Sequence, residues 1–451
     1  MRRGALNAVR DAVRTQLWPL PVVGVAVALV VGVVLPRVDG RVDGSLPSWL
    51  RSLLFSGDPG AARTVLDAVS SSLITVTSLT FSLTVVTLQL ASSQFSPRLL
   101  RTFTSDVFVQ ATLGLFLATF TFSLTVLRSV RSAGDTQPVF VPQISVTVSF
   151  VLAVASVVGL VVFLAHLARQ IRVETMLRDV HADATATIEA ALDTGQGSGR
   201  DAGALPTPPE YASTVFARSS GFLVRVDEDE LLGCAVERDI FIALDSHPGA
   251  SLVAGTPIGS TWSRTGSRRD QEVERLEDRI ASALHVGFER TAAQDVGYGL
   301  RQLTDVANKA LSPGINDPTT AVHALGHISA VLCELAGRDL GPSVLRDDDG
   351  RVRVVLRRPD LADLVDVAIT QPRRYGSSDP QVMARLFRLL EELAWHTPPH
   401  ARGIVSSQLE RLKATVANAD FDATEIEQLD RAATRVTEVL VQQRTSDRNG
   451  T

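Results

Sequence analysis

"TVTSLTFSLTVVTLQL", residues Thr75 to Leu90, admits two readings. Hydroxyl or amide side chains recur every two to four positions among Leu, Val and Phe, as in a strand with one polar face. The stretch equally suits a membrane helix rich in Ser and Thr. A lone strand in a bilayer would leave its backbone groups unpaired, and the chain offers no set of similar strands to close a barrel. The helix reading follows. On a helical wheel Ser71, Thr75, Ser78, Ser82 and Gln89 form one polar stripe, while Thr77, Thr80, Thr84 and Thr87 form another on nearly the opposite side.

Working outward, uncharged runs extend over Thr15 to Pro36, Ala68 to Pro97, Val107 to Leu127 and Thr136 to Ala165. Each reaches the ~20 residues that an α-helix needs to cross a bilayer. The first lacks a small-residue cleavage site, so it reads as a retained helix and not a signal peptide. Two polar stripes on one helix imply two polar interfaces. Close packing through Ser and Thr explains one of them. A four-helix protomer has difficulty burying both, so a homo-oligomer is expected, with Thr75, Ser78, Ser82 and Gln89 as the candidate pore or interface positions.

Arginine sets the expected orientation. Arg2, Arg3, Arg10 and Arg14 precede the first span, Arg98 and Arg101 follow the second, and Arg169, Arg172 and Arg178 follow the fourth. The opposite loops dilute Arg37, Arg41, Arg51, Arg63, Arg128 and Arg131 with Asp39, Asp43, Asp58 and Asp135. This bias places both termini in the cytoplasm of a bacterial plasma membrane. Between spans two and three, Ser96 with Pro97 suits the start of a short helix, and Ser105 or Asp106 suits the cap of span three.

The fold class is therefore an α-helical polytopic membrane protein, with four transmembrane helices and a cytosolic α+β domain. The expected division is 1–168 for the membrane domain and 169–210 for a cytosolic helix and Gly/Pro-rich linker. A small β-rich unit, 211–265, and a mostly helical domain, 266–451, with a β-hairpin near 351–357, complete it. "SGFLVRVD", "RDIFIALDS" and "ASLVAGTPIGSTW" have strand composition, and "EDELLGCAVE" between them reads as a short helix. "HPGASLVAGTPIG" is similar to the strand-turn-strand of biotinyl and lipoyl carriers, but the unit contains no lysine to modify.

Several functional classes lose support. The chain of 451 residues carries 45% hydrophobic residues and a net charge of -5, which argues against both disorder and a nucleic-acid partner. Lysine occurs only at Lys309 and Lys413, and the abundance of arginine is a coding bias. Cys234 and Cys333 alone make neither a disulfide framework nor a cysteine zinc site. No GxxxxGK[ST] loop, GxSxG elbow or strand-linked GxGxxG occurs. No cofactor, metal or enzymatic activity is expected.

"RTAAQDVGYGLRQLTDVANKALSPGINDPTTA", Arg290 to Ala321, is the densest polar cluster. Its first half reads as an amphipathic helix with Val296, Leu300, Leu303, Val306 and Ala310 on one side. Thr291, Asp295, Tyr298, Gln302, Asp305 and Lys309 occupy the other. Asp317 is placed to cap a helix beginning at Pro318. The turn then brings Asp295, Arg301 and Asp305 towards Asn316, Asp317, Thr319 and Thr320 in a polar network, which locks the corner or meets a ligand, ion or subunit. His323 and His327 have the i, i+4 spacing of zinc ligands, but "HALGH" lacks the glutamate of a metalloprotease helix.

With "SLTFSLTVVTLQLASSQFSPRLLR" and the Arg290–Ala321 motif, the chain resembles a bacterial family filed as a predicted membrane protein and domain of unknown function. That resemblance covers most of the chain. It implies four membrane helices and a cytosolic domain and transfers no activity. From the residues, the leading expectation is an oligomeric channel-like or transport protein for an ion or small solute. A membrane-anchored scaffold or sensor is the rival, and an enzyme built on Asp295, Asp305, His323 and His327 the weakest alternative.

Overall fold

A computed structural model describes residues 18–42, 54–94, 106–132, 139–170, 172–192, 205–263 and 270–449. The N-terminal arginines, the turn carrying Ser96, Pro97, Arg98, Arg101 and Ser105, and most of the Gly/Pro-rich linker lie outside them. The chain divides into two units, Met1–Arg172 and Val173–Thr451.

Among the described residues the first unit has four apolar helices: α1, Pro19–Val42; α2, Pro59–Gln94; α3, Val107–Leu127; and α4, Gln143–Gln170. All four are long and apolar enough to cross a membrane. Their limits differ from those of the uncharged runs. The first run stops at Arg37, yet α1 continues through Pro36 to Val42. The second starts at Ala68, yet α2 begins at Pro59 and takes in Arg63 and Asp67. Arg37, Asp39, Arg41 and Arg63 are therefore helical residues and not loop residues. At about 1.5 Å per residue, the 36 residues of α2 exceed the ~30 Å hydrocarbon thickness, so one end of it stands in the polar zone.

Helix α3 is the packing centre and touches the other three. A β-carbon on Gly32 of α1 would lie 2.8 Å from Thr125 of α3, so this close approach requires glycine. Hydroxyls link α3 to α4, with Ser123 Oγ 2.6 Å from Ser149 Oγ and Thr119 Oγ1 3.3 Å from Ser156 Oγ. At the start of α4, the buried Asp39 of α1 accepts hydrogen bonds from Ile144 N, Ser145 N and Ser145 Oγ at 3.1, 2.9 and 3.0 Å. One helix thus supplies the N-terminal cap of another. At the start of α3, Asp106 is the cap itself, accepting from Phe108 N and Val109 N. Its second oxygen meets His166 Nε2 at 2.6 Å and Gln170 Nε2 at 3.0 Å on α4.

The second unit opens with α5, Val173–Leu192. A five-stranded sheet of order β1-β5-β3-β8-β7 and a three-stranded sheet of order β4-β2-β6 follow. Their strands are β1, Ser213–Phe216; β2, Gly221–Val226; β3, Ile240–Leu244; β4, Ser251–Leu252; β5, Pro257–Ser263; β6, Leu284–Gly287; β7, Ser343–Arg346; and β8, Val352–Leu356. "EDELLGCAVE" is α6, Glu228–Glu237, which buries Leu231, Cys234 and Ala235 and is capped by Asp227. Leu276, Ile280 and Ala283 of α7, Asp270–Ala283, enter the same core as Ile240, Ile242, Val354 and Leu356. The hairpin β7–β8 does not stand apart. Strand β8 pairs in parallel with β3, with Ile242 opposite Val354, and so joins the sheet of the preceding strands.

Helices make up the rest: α8, Tyr298–Ala310; α9, Pro318–Ala336; α10, Leu361–Tyr375; α11, Pro380–His396; α12, Arg402–Ala417; and α13, Ala423–Asn449. Helix α9 buries Leu325, Ile328, Leu332 and Leu335 against α8 and α11, and α11 packs in turn on α13. The fold is that of a polytopic helical membrane protein with an α+β C-terminal region.

Candidate functional site

The two polar stripes of α2 have different surroundings. Thr80, Thr84 and Thr87 are buried inside the four-helix unit, where α2 packs on α3 and α4. Thr84 and Thr87 donate to the carbonyls of Thr80 and Leu83, four residues back, which satisfies their hydroxyls locally. Ser71, Thr75, Ser78, Ser82 and Gln89 are instead exposed on the outside of the protomer. They lie between apolar side chains that are also exposed, among them Leu79 at 54% and Phe81 at 57%. Ser71 and Thr75 donate to the carbonyls of Asp67 and Ser71. Asp67, itself exposed, extends the stripe by one turn. A search confined to uncharged runs misses it, because its charge ended the run.

In the second unit, the Arg290–Ala321 motif is organised differently from a single amphipathic helix. Helix α8 starts only at Tyr298, and Asp295 sits in the preceding loop. The Asp295 carboxylate is buried. It accepts from Arg290 Nε at 2.8 Å and from Gly297 N at 3.1 Å. Burial raises its pKa above the ordinary carboxylate value, and the Arg290 guanidinium pulls it part of the way back. Tyr298 and Gln302 of the supposed polar face are buried too. Helix α5 packs on α8, and a β-carbon on Gly299 would lie 2.4 Å from that of Ala184.

The corner that follows is built from local bonds. Ile315 N and Asn316 N both donate to Ser312 O, and Asp317 N donates to Ala310 O at 2.8 Å. Asn316 takes the left-handed conformation, with φ of 51°. Asp317 caps α9 by accepting from Thr320 N at 3.0 Å and Thr320 Oγ1 at 2.6 Å. Asn316 and Thr319 are exposed, while Arg301 and Asp305 are partly buried on α8. Asp317 and Thr320 are thus brought together. The Asp295 carboxylate is engaged by Arg290 instead.

Replacing Asp317 by alanine should cost about 0.5 to 2 kcal/mol of stability, and replacing it by asparagine much less. Denaturant unfolding of both variants measures this, and equal losses would transfer the role from capping to charge. The pH dependence has a defined sign. The Thr320 hydroxyl and then the Thr320 amide hold Asp317 below its usual value of 3.8. Its contribution is therefore present above that value and disappears as pH falls through the lower folded one.

His323 and His327 of α9 line an open groove of about 340 Å³ with Glu174 of α5. The ring of His181, also on α5, stands edge-on to His327 with centroids 5.2 Å apart. Burial, followed by His181 and His323, holds His327 below the usual imidazole range. Among the described residues, no three His, Cys, Asp or Glu side chains converge on a metal-sized point.

A cavity of about 450 Å³ opens where β2, β3 and β8 end and α6 begins. Arg225, Arg357 and Arg358 line it, as do Asp227, Glu228 and Asp229. Burial raises Glu228 while Arg358 lowers it. Burial lowers Arg358 while Glu228 opposes that shift. Three arginines and three carboxylates thus share its lining.

Comparison with known proteins places the chain. The uncharacterized protein Mb1321c of Mycobacterium bovis and the uncharacterized protein Rv1290c of Mycobacterium tuberculosis are each 37% identical to it over 436 residues. Each alignment covers 96% of this chain and 82% of the relative. No solved structure matches the chain. The family described as "Predicted membrane protein (DUF2254)" matches residues 14–392, and with the four membrane-length helices inside that range the chain belongs to this family.

Proposed function

We propose that this membrane protein is the protomer of a homo-oligomeric, channel-like or transport protein of the bacterial plasma membrane, permeable to an ion or small solute. Both termini are then cytoplasmic, and the C-terminal unit regulates the pathway without catalysing a reaction. The observation that supports this is the outward polar stripe of α2, from Asp67 through Ser71, Thr75, Ser78 and Ser82 to Gln89. An amide such as that of Gln89 is costly where it faces hydrocarbon, so this face calls for water or a neighbouring protomer. Asp67 stands eight residues into α2, about 12 Å from its start, which suits the mouth of a path better than its middle.

One observation favours the rival reading of a scaffold or sensor. The hydroxyls of Ser71 and Thr75 already donate to their own helix, and such residues pack closely without needing water. Single cysteines separate the two readings once Cys234 and Cys333 are replaced. In a verified native oligomer, Ser82→Cys and Gln89→Cys should react with a membrane-impermeant thiol reagent, whereas Leu79→Cys and Leu83→Cys should not. Thr451→Cys should be shielded in right-side-out vesicles if the C-terminus is cytoplasmic. Failure of both stripe positions to label, together with silence in planar bilayers, would leave the scaffold.

A further inference from the structure

The C-terminal halves of α10 and α12 border an open groove of about 670 Å³, apart from the cavity and the motifs described above. Arg373 and Arg374, in the last turn of α10, reach it from one side, and Arg411 of α12 from the other. Ser377 and Ser378, in the turn after α10, complete its rim with Asn418. We propose that this groove binds a phosphoryl-bearing anion through Arg373, Arg374 and Arg411.

The simplest other account is that arginines near helix C-termini answer the helix dipoles. It explains some of the charge, since each dipole is equivalent to only about half an elementary charge. Two carboxylates also contribute. Asp366 accepts from Arg411 Nη1 at 2.9 Å and from the Thr370 hydroxyl at 2.6 Å, and also bonds Gln408, so it is shared among three donors, while Arg411 Nη2 donates to Thr370 Oγ1 at 3.3 Å. Asp420 is exposed on the rim.

Arg373 is less well served. One of its terminal nitrogens donates to Thr415 Oγ1, while its Nε is fully buried and has no hydrogen-bond partner. Burial, then the positive charges of Arg411 and Arg374, pushes its pKa down, and Asp366 only partly offsets them. Three guanidinium groups around one groove, opposed only by Asp366 and Asp420, leave a positive surplus that an oxyanion relieves. Three planar donors around one groove suit a phosphoryl group, whose oxygens accept paired N–H bonds. The volume lies in the range of small-ligand sites. Such a group occurs both on soluble metabolites and on lipid headgroups. The proposal does not depend on α2 lining a pore.

Hydrogen exchange on the full chain in nanodiscs tests it and separates the two sources. In one arm, phosphatidylcholine discs receive inorganic phosphate or pyrophosphate at matched ionic strength with chloride. In the other, part of the phosphatidylcholine is replaced by phosphatidylglycerol, with no phosphate added. Protection of residues 370–378 and 411–419 in the first arm identifies a soluble ligand, and protection in the second alone identifies a lipid headgroup. Arg374 is exposed, so Arg374→Gln should leave the fold intact and weaken binding about ten-fold or more, with Arg411→Gln acting in the same direction. Absence of protection in both arms, or equal protection in the folded Arg374→Gln protein, overturns the proposal.

Discussion

Replacing Asp39 by alanine should lower the stability of the four-helix unit by about 3 to 5 kcal/mol, since each buried group left unpaired costs about 1 to 3 kcal/mol. The substitution strands three donors at once, namely the amides of Ile144 and Ser145 and the Ser145 hydroxyl. It also removes a negative charge from the N-terminal end of α4, where the helix dipole favours one. Asp39→Asn keeps an oxygen able to accept at least one of these bonds and should lose roughly half as much. Unfolding in detergent, paired with hydrogen exchange over residues 143–147, gives both numbers. An alanine variant within about 1 kcal/mol of the parent would show that water replaces the carboxylate there.

A loss of similar size is expected for Gly249→Ala in the second unit. Gly249 has φ of 90°, a conformation that L side chains rarely adopt. An added β-carbon would lie 2.2 Å from Asp295 Oδ2 and 2.6 Å from an Arg290 terminal nitrogen. The alanine must therefore either break the buried ion pair, at about 3 to 5 kcal/mol, or shift the turn that carries Gly249 N onto Leu223 O. A double-mutant cycle identifies the cause. With Asp295→Ala already present the clash is largely gone, so the second substitution should cost much less than it does alone. Additive losses would assign the whole effect to backbone strain at Gly249.

These two sites also mark how far the sequence was legible. The alternation of Ser and Thr with large apolar residues identified α2 as a helix and separated its two polar stripes, because helical periodicity is local. Which stripe faces inward was not legible, since that depends on where α3 and α4 stand. The start of α2 was missed because Arg63 and Asp67 interrupt the apolar run, although a helix tolerates charge where it leaves the hydrocarbon. Strands β1 and β6 have four residues each, too few to show a period, and form by pairing with β5 and β2. Helix α10 does carry a local signal, Asp360 before Leu361, Leu364, Val365, Ala368 and Ile369, but Pro372 obscures its end.

The capping role of Asp317 was legible because a cap and its partner lie three residues apart. Asp295 was placed on a helix that begins three residues later. Its true partner, Arg290, was inside the same motif, but nothing in the spacing distinguished an ion pair in a loop from a polar helix face. The arginine groove was invisible for the same reason as the sheet order. Arg373 and Arg411 are neighbours only because α10 and α12 are.

The parallel pairing of β3 with β8 has a consequence for biosynthesis. Its partners, Ile242 and Val354, lie roughly a hundred residues apart, so at about 5 to 20 residues per second the ribosome delivers the second some 5 to 20 seconds after the first. During that interval β3 presents an open edge to whatever is nearby, a template for unwanted pairing. The helices α8 and α9, which need only local contacts and each other, can form while the edge waits. Nascent chains interrupted anywhere in that interval would carry an unclosed sheet, with the outer edge of β3 still waiting for its partner.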